Sequence, residues 1–481
     1  MLETLDSAIV FKYFEQISNI PRQSGHEKLI SNYLVDFAQQ NNLEYTKDEF
    51  NNVLIKKQAT IGYENAPVAI LQSHMDMVCV KTSDSNHDFS KDPIELIIDN
   101  DILKAKCTSL GADDGIGVAI ILAILASEKV QHPKIEALFT VDEENTMLGA
   151  EKFNINQLNG KILFNLDGEQ ENIFIAGSGG ATNLNIIYDI ELSENSNPAY
   201  EIKISGLLGG HSAIEISNEH ANAIILMARI LFKLKNKLDF SLADIFSGEK
   251  TNIIPSESSA TITLNEKDFE IAKNIIDDIT NDFKNEFKNN DPNLSVEFKK
   301  SNKKFDLVLA DKHLNNLISS ILIIPNGVIN RNLKLNGVTE TSNNIGTIRF
   351  QNKKIIIGDR IRSSMDSRTK FVLSQLKSIG KMFGVTVQIL TTFPAWDYNP
   401  NSKLINFCKK VYEQVYNSSP KIEATHGGLE CSYFKQIPNI DIICIGPNIN
   451  DCHSVNETVE ISSVDRFWQF FKKILCELKN Y

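Results

Sequence analysis

Histidine and acidic side chains recur along the 481-residue sequence at positions from which they could jointly hold divalent metal ions. His74-Met75-Asp76 follows the short apolar run PVAILQ at 67–72. Alternate side chains of an extended segment share a face, so His74 and Asp76 project the same way. A carboxylate so placed can hold the second ring nitrogen of a ligating imidazole and fix its tautomer. Taken alone, the spacing also suits an ordinary hydrogen-bonding histidine at a strand end. Gly111-Ala-Asp113-Asp114-Gly115 opens a very apolar segment. Paired acids there could simply cap a helix and favour its dipole, yet one carboxylate at that place could also bridge two cations. Asp142-Glu143-Glu144-Asn145 leaves the run IEALFTV at 135–141. Three adjacent acids repel one another unless neutralised. Since neighbours on an extended segment point apart, one could ligate while the other faces a substrate as general base; a solvated acidic turn is the plain alternative. Asp167-Gly168-Glu169 follows KILFNL at 161–166, and His453 lies in the segment GPNINDCHS after the run IDIICIG.

Each of these positions follows a predicted strand or opens a helix beside one, which is where open α/β sheets bind ligands. Oxygen and nitrogen donors without cysteine suit Zn²⁺, Mn²⁺ or Co²⁺ in a site for two ions. Such a site activates a bridging water and polarises a carbonyl, leaving a carboxylate to move the proton. That chemistry is hydrolysis.

The elements that must position these residues can be read from periodicity. EKLISNYLVDFAQQ (27–40) has the spacing of an amphipathic helix, with Ser24 and Gly25 ahead of it as start signals. GIGVAIILAILAS (115–127) is too apolar for a surface helix and should pack under a sheet. Strands alternating with helices imply an α/β layered architecture. After Gly177-Ser-Gly-Gly180 the pattern changes: 183–205 and 256–265 alternate apolar and polar residues, as in a sheet with one wet face, and a charged helical stretch covers 266–290. A helix at 403–416, a strand at 440–446 and a closing helix at 463–479 return to the first pattern. The sequence thus predicts a mixed-sheet α/β catalytic domain in two parts, 1–181 and 391–481, interrupted by an inserted α+β domain at 182–390.

Composition narrows the function classes. A formal net charge of −12 argues against nucleic acid or an anionic membrane as partner. No apolar run approaches the ~20 residues needed to span a bilayer, and the start MLETLDSAIVFKYFEQISNIPR lacks the basic and apolar regions of a signal peptide. Seven scattered cysteines without a CxxC pair fit reduced thiols, and so a cytoplasmic protein.

With these motifs on the page, the chain resembles the aminoacyl-histidine dipeptidases (Xaa-His, carnosine-type β-alanyl-histidine dipeptidases) of the di-zinc aminopeptidase/carboxypeptidase superfamily. The likeness spans nearly the whole chain. It is carried by IPRQSGHE (20–27), LQSHMDMVCVK (71–81), HDFSKDPIEL (87–96), LGADDGIGVA (110–119), DEENTMLGA (142–150), NLDGEQE (165–171), GLLGGHS (206–212), HGGLEC (426–431) and GPNINDCHS (446–454). The resemblance implies that His74, Glu144, Asp167 and His453 are terminal ligands of two divalent ions, Zn²⁺ or else Co²⁺ or Mn²⁺, and that Asp113 bridges them. It implies that Asp76 orients His74 and that Glu143 is the general base. The inserted region would be a lid or dimerisation domain, in which His211 steadies the oxyanion while Asn252, Arg362 and Gly427 contact the substrate's carboxylate or backbone. The expected partner is a small dipeptide, and a homodimer is the habit of the superfamily. Two departures stand out: Ala213 replaces a usual glycine after His211-Ser212, and Val455-Asn456 replaces a common Pro-Asp after His453-Ser454. Both bear on geometry and rate, and neither removes a ligand or the base. A related tripeptidase or deacylase, or a silent binding scaffold, are the competing expectations.

Overall fold

The computed structural model describes residues 2–333, 335, 337–351 and 353–481. Two contact units divide the chain. The first comprises Met1–Gly177, Tyr398–Ala424 and Leu429–Tyr481, and the second Ser178–Asp397 with Thr425–Gly428.

The first unit is built on an eight-stranded mixed sheet. Its strands lie side by side in the order Glu44–Lys47, Val53–Lys57, Ile135–Thr140, Ala69–His74, Ile162–Asn165, Asp441–Cys444, Ile173–Ser178 and Lys421–Thr425. The four central strands, from Ile135–Thr140 to Asp441–Cys444, run parallel. Ala69–His74 and Ile135–Thr140 are buried along their whole length, as strands covered on both faces must be, and this explains their nearly unbroken apolar sequences. The helix Ala112–Ala126 is buried from Ala112 to Leu125 and packs between Ala8–Ser18 and the strand Ala69–His74. Lys403–Tyr416 and Ile461–Glu477 show the opposite design, with one apolar face each; Phe467, Phe470 and Phe471 join Phe164 and Phe174 in one core.

The second unit carries a nine-stranded sheet, antiparallel in every recorded pair. Its spine is the ladder Gly180–Asp189, Lys354–Ser363 and Thr339–Gln351. Ala223–Lys235, Phe269–Glu286, Asp311–Ile323 and Asp366–Phe383 supply its helices, and the core forms from Leu184, Ile186, Ile202, Ile262, Met227 and Ile357 among others. Alternating burial along Ala199–Ser205 matches the one-wet-face pattern of its sequence. No helix among the described residues is long and apolar enough to cross a membrane.

One buried group in this second sheet predicts a pH-dependent stability. Asp359 is fully buried and takes a 2.7 Å hydrogen bond from Asn343 Nδ2, while its Oδ1 has no partner. Burial pushes its carboxyl up to about 8, from an ordinary value of 3.8. Above the ordinary value the unfolded chain has lost the proton that the folded chain keeps, so stability should fall as pH rises from 3.8 towards 8 and level off beyond. Asp359→Asn, which keeps the shape without the charge, should remove this component and gain on wild type by at least about 1.4 kcal/mol between pH 5 and 8. Urea unfolding at both pH values checks it; parallel profiles for the two proteins would disprove it.

Candidate metal centre

The parallel strands end at one edge of the first sheet, and the acids follow from their ends. His74 closes Ala69–His74, Glu143 and Glu144 follow Ile135–Thr140, and Asp167 follows Ile162–Asn165. Asp113 stands in the first turn of Ala112–Ala126 with non-helical backbone (φ −80°, ψ 112°), and its peptide bond to Asp114 is cis. His453 comes from the loop after Ile449–Asn450, in the left-handed region at φ 62°. A non-glycine residue there needs its surroundings to hold it.

Asp113 lies at the centre. Its Oδ1 is 3.2 Å from His74 Nε2 and its Oδ2 is 3.1 Å from His453 Nε2. Each histidine meets one further carboxylate: Asp167 Oδ1 lies 3.5 Å from His74 Nε2, and Glu144 Oε2 lies 2.9 Å from His453 Nε2. Two donor groups therefore share a single carboxylate, one oxygen to each side. Asp76 sits behind, with Oδ1 3.3 Å from His74 Nδ1. It also accepts the backbone N–H groups of Glu143 and Glu144 at 3.1 and 3.2 Å and the Ser24 hydroxyl at 2.8 Å. One side chain thus holds the imidazole and the turn that carries the two glutamates.

The electrostatics call for cations. Asp76, Asp113, Glu143, Glu144 and Asp167 crowd around two imidazoles in a site where His74 and Asp76 are almost wholly buried. Burial drives Glu143 well above the usual carboxylate range, and repulsion from Glu144, Glu430 and Asp76 adds to it. Burial and the charge of Asp113 do the same to Asp167. Hydrogen bonds from the His453 ring to the carboxylates of Asp113 and Glu144 raise it to about 11. Acids pushed to hold protons and an imidazole pushed to stay charged are what remains when no divalent charge balances the cluster. Glu144 Oε1 is buried with no hydrogen-bond partner. His74 with Asp113 and Glu144, and His74 with Asp114 and Asp167, each place one donor atom apiece within 4.8 Å of one another. Oxygen and nitrogen donors in such groups fit a hard or borderline divalent ion.

Sequence reasoning left several neighbours without a role. Asp114 accepts from the Ser73 hydroxyl and is raised to about 8 by burial. Glu430, buried, accepts from Gln72 Nε2 and the Thr140 hydroxyl, each at 2.6 Å.

The second unit has a cluster of its own. His211 lies on the short strand Gly210–His211, which pairs with Ile253–Ile254 after Asn252. Glu215 Oε2 accepts the His211 N–H at 2.6 Å, and the Asn252 carbonyl accepts the Ser212 N–H at 2.8 Å. Arg362, 3% exposed, directs Nε to Ser212 Oγ at 3.4 Å and sits opposite Ser342 in the ladder. Ser342 Oγ lies 2.7 Å from His426 Nε2. Gly427 follows directly, its carbonyl accepting the Gly179 N–H at 2.8 Å. Burial lowers Arg362 to about 9, and burial with the Arg362 charge lowers His426 to about 3, so this histidine is neutral. Among the described residues no carboxylate pairs with the Arg362 guanidinium. His426 had no assigned role in the sequence; its only signal was its place in HGGLEC.

Comparison with known proteins identifies the family. The model of peptidase family M20/M25/M40 matches residues 70–477. The cytosol non-specific dipeptidase of Escherichia coli (strain K12) is 35% identical over 483 residues, which are 99% of this chain and 99% of that protein. The crystal structure of aminoacylhistidine dipeptidase from Vibrio alginolyticus is similar with a TM-score of 0.91 and 33% identity, over 99% of this chain and 97% of that one. Human carnosine dipeptidase 1, with a TM-score of 0.53 and 13% identity over the whole of both chains, shares the fold. The chain belongs to peptidase family M20/M25/M40 and is a hydrolase.

Proposed function

We propose that this protein is a cytoplasmic metallodipeptidase that hydrolyses Xaa-His dipeptides with two divalent ions per chain, most simply Zn²⁺. The observation that carries the reading is Asp113, whose two oxygens each face one histidine at 3.1–3.2 Å. His74 and Asp167 would hold one ion, His453 and Glu144 the other, and Asp113 both. When bound, such ions polarise the scissile carbonyl and lower the pKa of water. Glu143 takes a proton from the attacking water and returns it to the leaving amine. Burial and the neighbouring acids push the Glu143 carboxyl above its ordinary value, which favours its taking up a proton. Asp76 fixes the His74 tautomer and the turn bearing Glu143.

The remaining roles rest on the second unit's own chemistry. A buried guanidinium without a carboxylate partner is costly unless an anion reaches it, which supports Arg362 as the group that takes the substrate's terminal carboxylate. His211 is the donor to the oxyanion, and Asn252 and Gly427 contact the substrate backbone. In this reading the inserted region 182–390 is a lid or dimerisation domain. Free thiols at all seven cysteines support a cytoplasmic setting. A broader dipeptide range is the second reading, supported by the 35% identity to a protein named a non-specific dipeptidase.

Three outcomes are expected. Metal-reconstituted protein should contain about two divalent ions per chain by elemental analysis and cleave carnosine or another Xaa-His dipeptide; inactivity on an entire dipeptide panel would refute the peptidase reading, and equal kcat/KM on Xaa-His and other dipeptides would select the broader one. Glu143→Gln should lower kcat by roughly 10²–10⁴-fold with metal content unchanged, and a variant that kept its activity would remove Glu143 from the role of base. Asp76→Asn should weaken metal binding about 10–100-fold in a competition titration with a chromogenic chelator; wild-type affinity would detach Asp76 from His74.

A further inference from the structure

A carboxylate and a guanidinium outside the donor set grip one short loop from its two sides. Glu457, 2% exposed, accepts four consecutive backbone N–H groups. Oε2 takes those of Leu110 and Gly111, both at 2.8 Å, and Oε1 those of Ala112 and Asp113 at 2.8 and 3.2 Å. Arg22, also 2% exposed, donates through Nη2 to the Gly111 carbonyl at 2.5 Å. Through Nη1 it reaches the carbonyls of Asp76 at 3.0 Å and Met75 at 3.3 Å. Gly111 is in the left-handed region at φ 70°, and a Cβ there would lie 2.5 Å from Arg22 Nη2 and 2.8 Å from Met77 Sδ. The loop thus has room for this grip and little else.

The connectivity gives the grip its meaning. Glu457 stands four residues after His453 on the same surface segment. The His453 side chain is 51% exposed and meets Asp113 and Glu144 only through its ring nitrogen. The Glu457 anchor ties that segment to the backbone of Asp113, a residue far away in sequence. Arg22 ties the same loop to the residues directly after His74. Capping satisfies N–H groups that any helix start leaves open, but a cap need not come from the segment that bears a ligand, nor be matched by a guanidinium on the carbonyl side. We propose that Glu457 and Arg22 are positioning residues that hold Asp113 in register with both His453 and His74, and so set the affinity and the joint filling of the two metal positions. The proposal rests on the two-ion centre of the reading above, not on the substrate it assigns.

The test separates positioning from simple stability. Glu457→Gln puts an NH₂ group where an oxygen now accepts backbone N–H, and Arg22→Lys keeps the charge but loses the fork. Glu136→Gln is the matched control. Glu136 is fully buried and accepts from the N–H groups of Asn159 and Gly160 at 2.8 and 3.0 Å, near the opposite end of the strand Ile135–Thr140. Metal-free full-length proteins are titrated with Co²⁺ alone, following its visible absorption, at a temperature where circular dichroism shows each to be folded. Glu457→Gln should weaken Co²⁺ binding by about 10–100-fold, bind the two equivalents in separate steps, and at saturating metal lower kcat more than KM. Glu136→Gln should lower the melting temperature and leave the Co²⁺ titration at wild type. If Glu457→Gln also lowers only the melting temperature, the proposal is overturned; should it not fold, Arg22→Lys decides by the same titration. A wild-type chain that binds two Co²⁺ yet cleaves no dipeptide would remove the proposed function and leave this inference standing.

Discussion

Mutual repulsion among buried carboxylates is the constraint on which the rest of this structure depends. Asp76, Asp113, Glu143, Glu144 and Asp167 come together where water is largely excluded, and each charge raises the cost of the next. Two histidines cannot offset five acids. The fold keeps such a cluster only by giving its members fixed partners: backbone N–H groups and a hydroxyl for Asp76, imidazoles for Asp113 and Glu144. What remains unbalanced is a negative field aimed at one place, which a pair of divalent cations would neutralise.

Topology supplies that place cheaply. Parallel strands deliver their following loops to a common edge, so residues remote in sequence meet without any long-range search beyond strand pairing itself. The buried apolar runs serve two ends at once. They form the sheet, and by excluding water they strengthen every interaction at its rim. Ala112–Ala126 belongs to the same arrangement, since a helix this apolar can only lie against the sheet, and that placement brings Asp113 to the strand ends.

Much of this was legible in the sequence because the signals were local. The run before His74, the run before Asp142 and the run before Asp167 each announce a strand followed by a histidine or an acid, and Lys403–Tyr416 was readable to its limits from one apolar stripe. Contacts to the main chain were not legible. Glu457 and Arg22 bind N–H and C=O groups that every residue possesses, so no side-chain pattern records them. His426 depends on Ser342, 84 residues away, through a ladder whose register the sequence does not spell out. The strand Thr386–Phe393 escaped notice for another reason. It is exposed along most of its length, and without a buried face it has no alternation to betray it. Its backbone extends the sheet of the second unit.

The position of Asp441–Cys444 in the first sheet has a consequence for how the molecule is made. That strand lies between Ile162–Asn165 and Ile173–Ser178, two neighbours in sequence that leave a gap for a segment synthesised much later. A ribosome releases nearly all of the second unit before the gap can be filled, and domains complete in the order their chain allows. The interrupted unit therefore closes last. Until then the early acids lie on an unfinished sheet without His453, so the candidate metal centre can be complete only after the second unit has been synthesised.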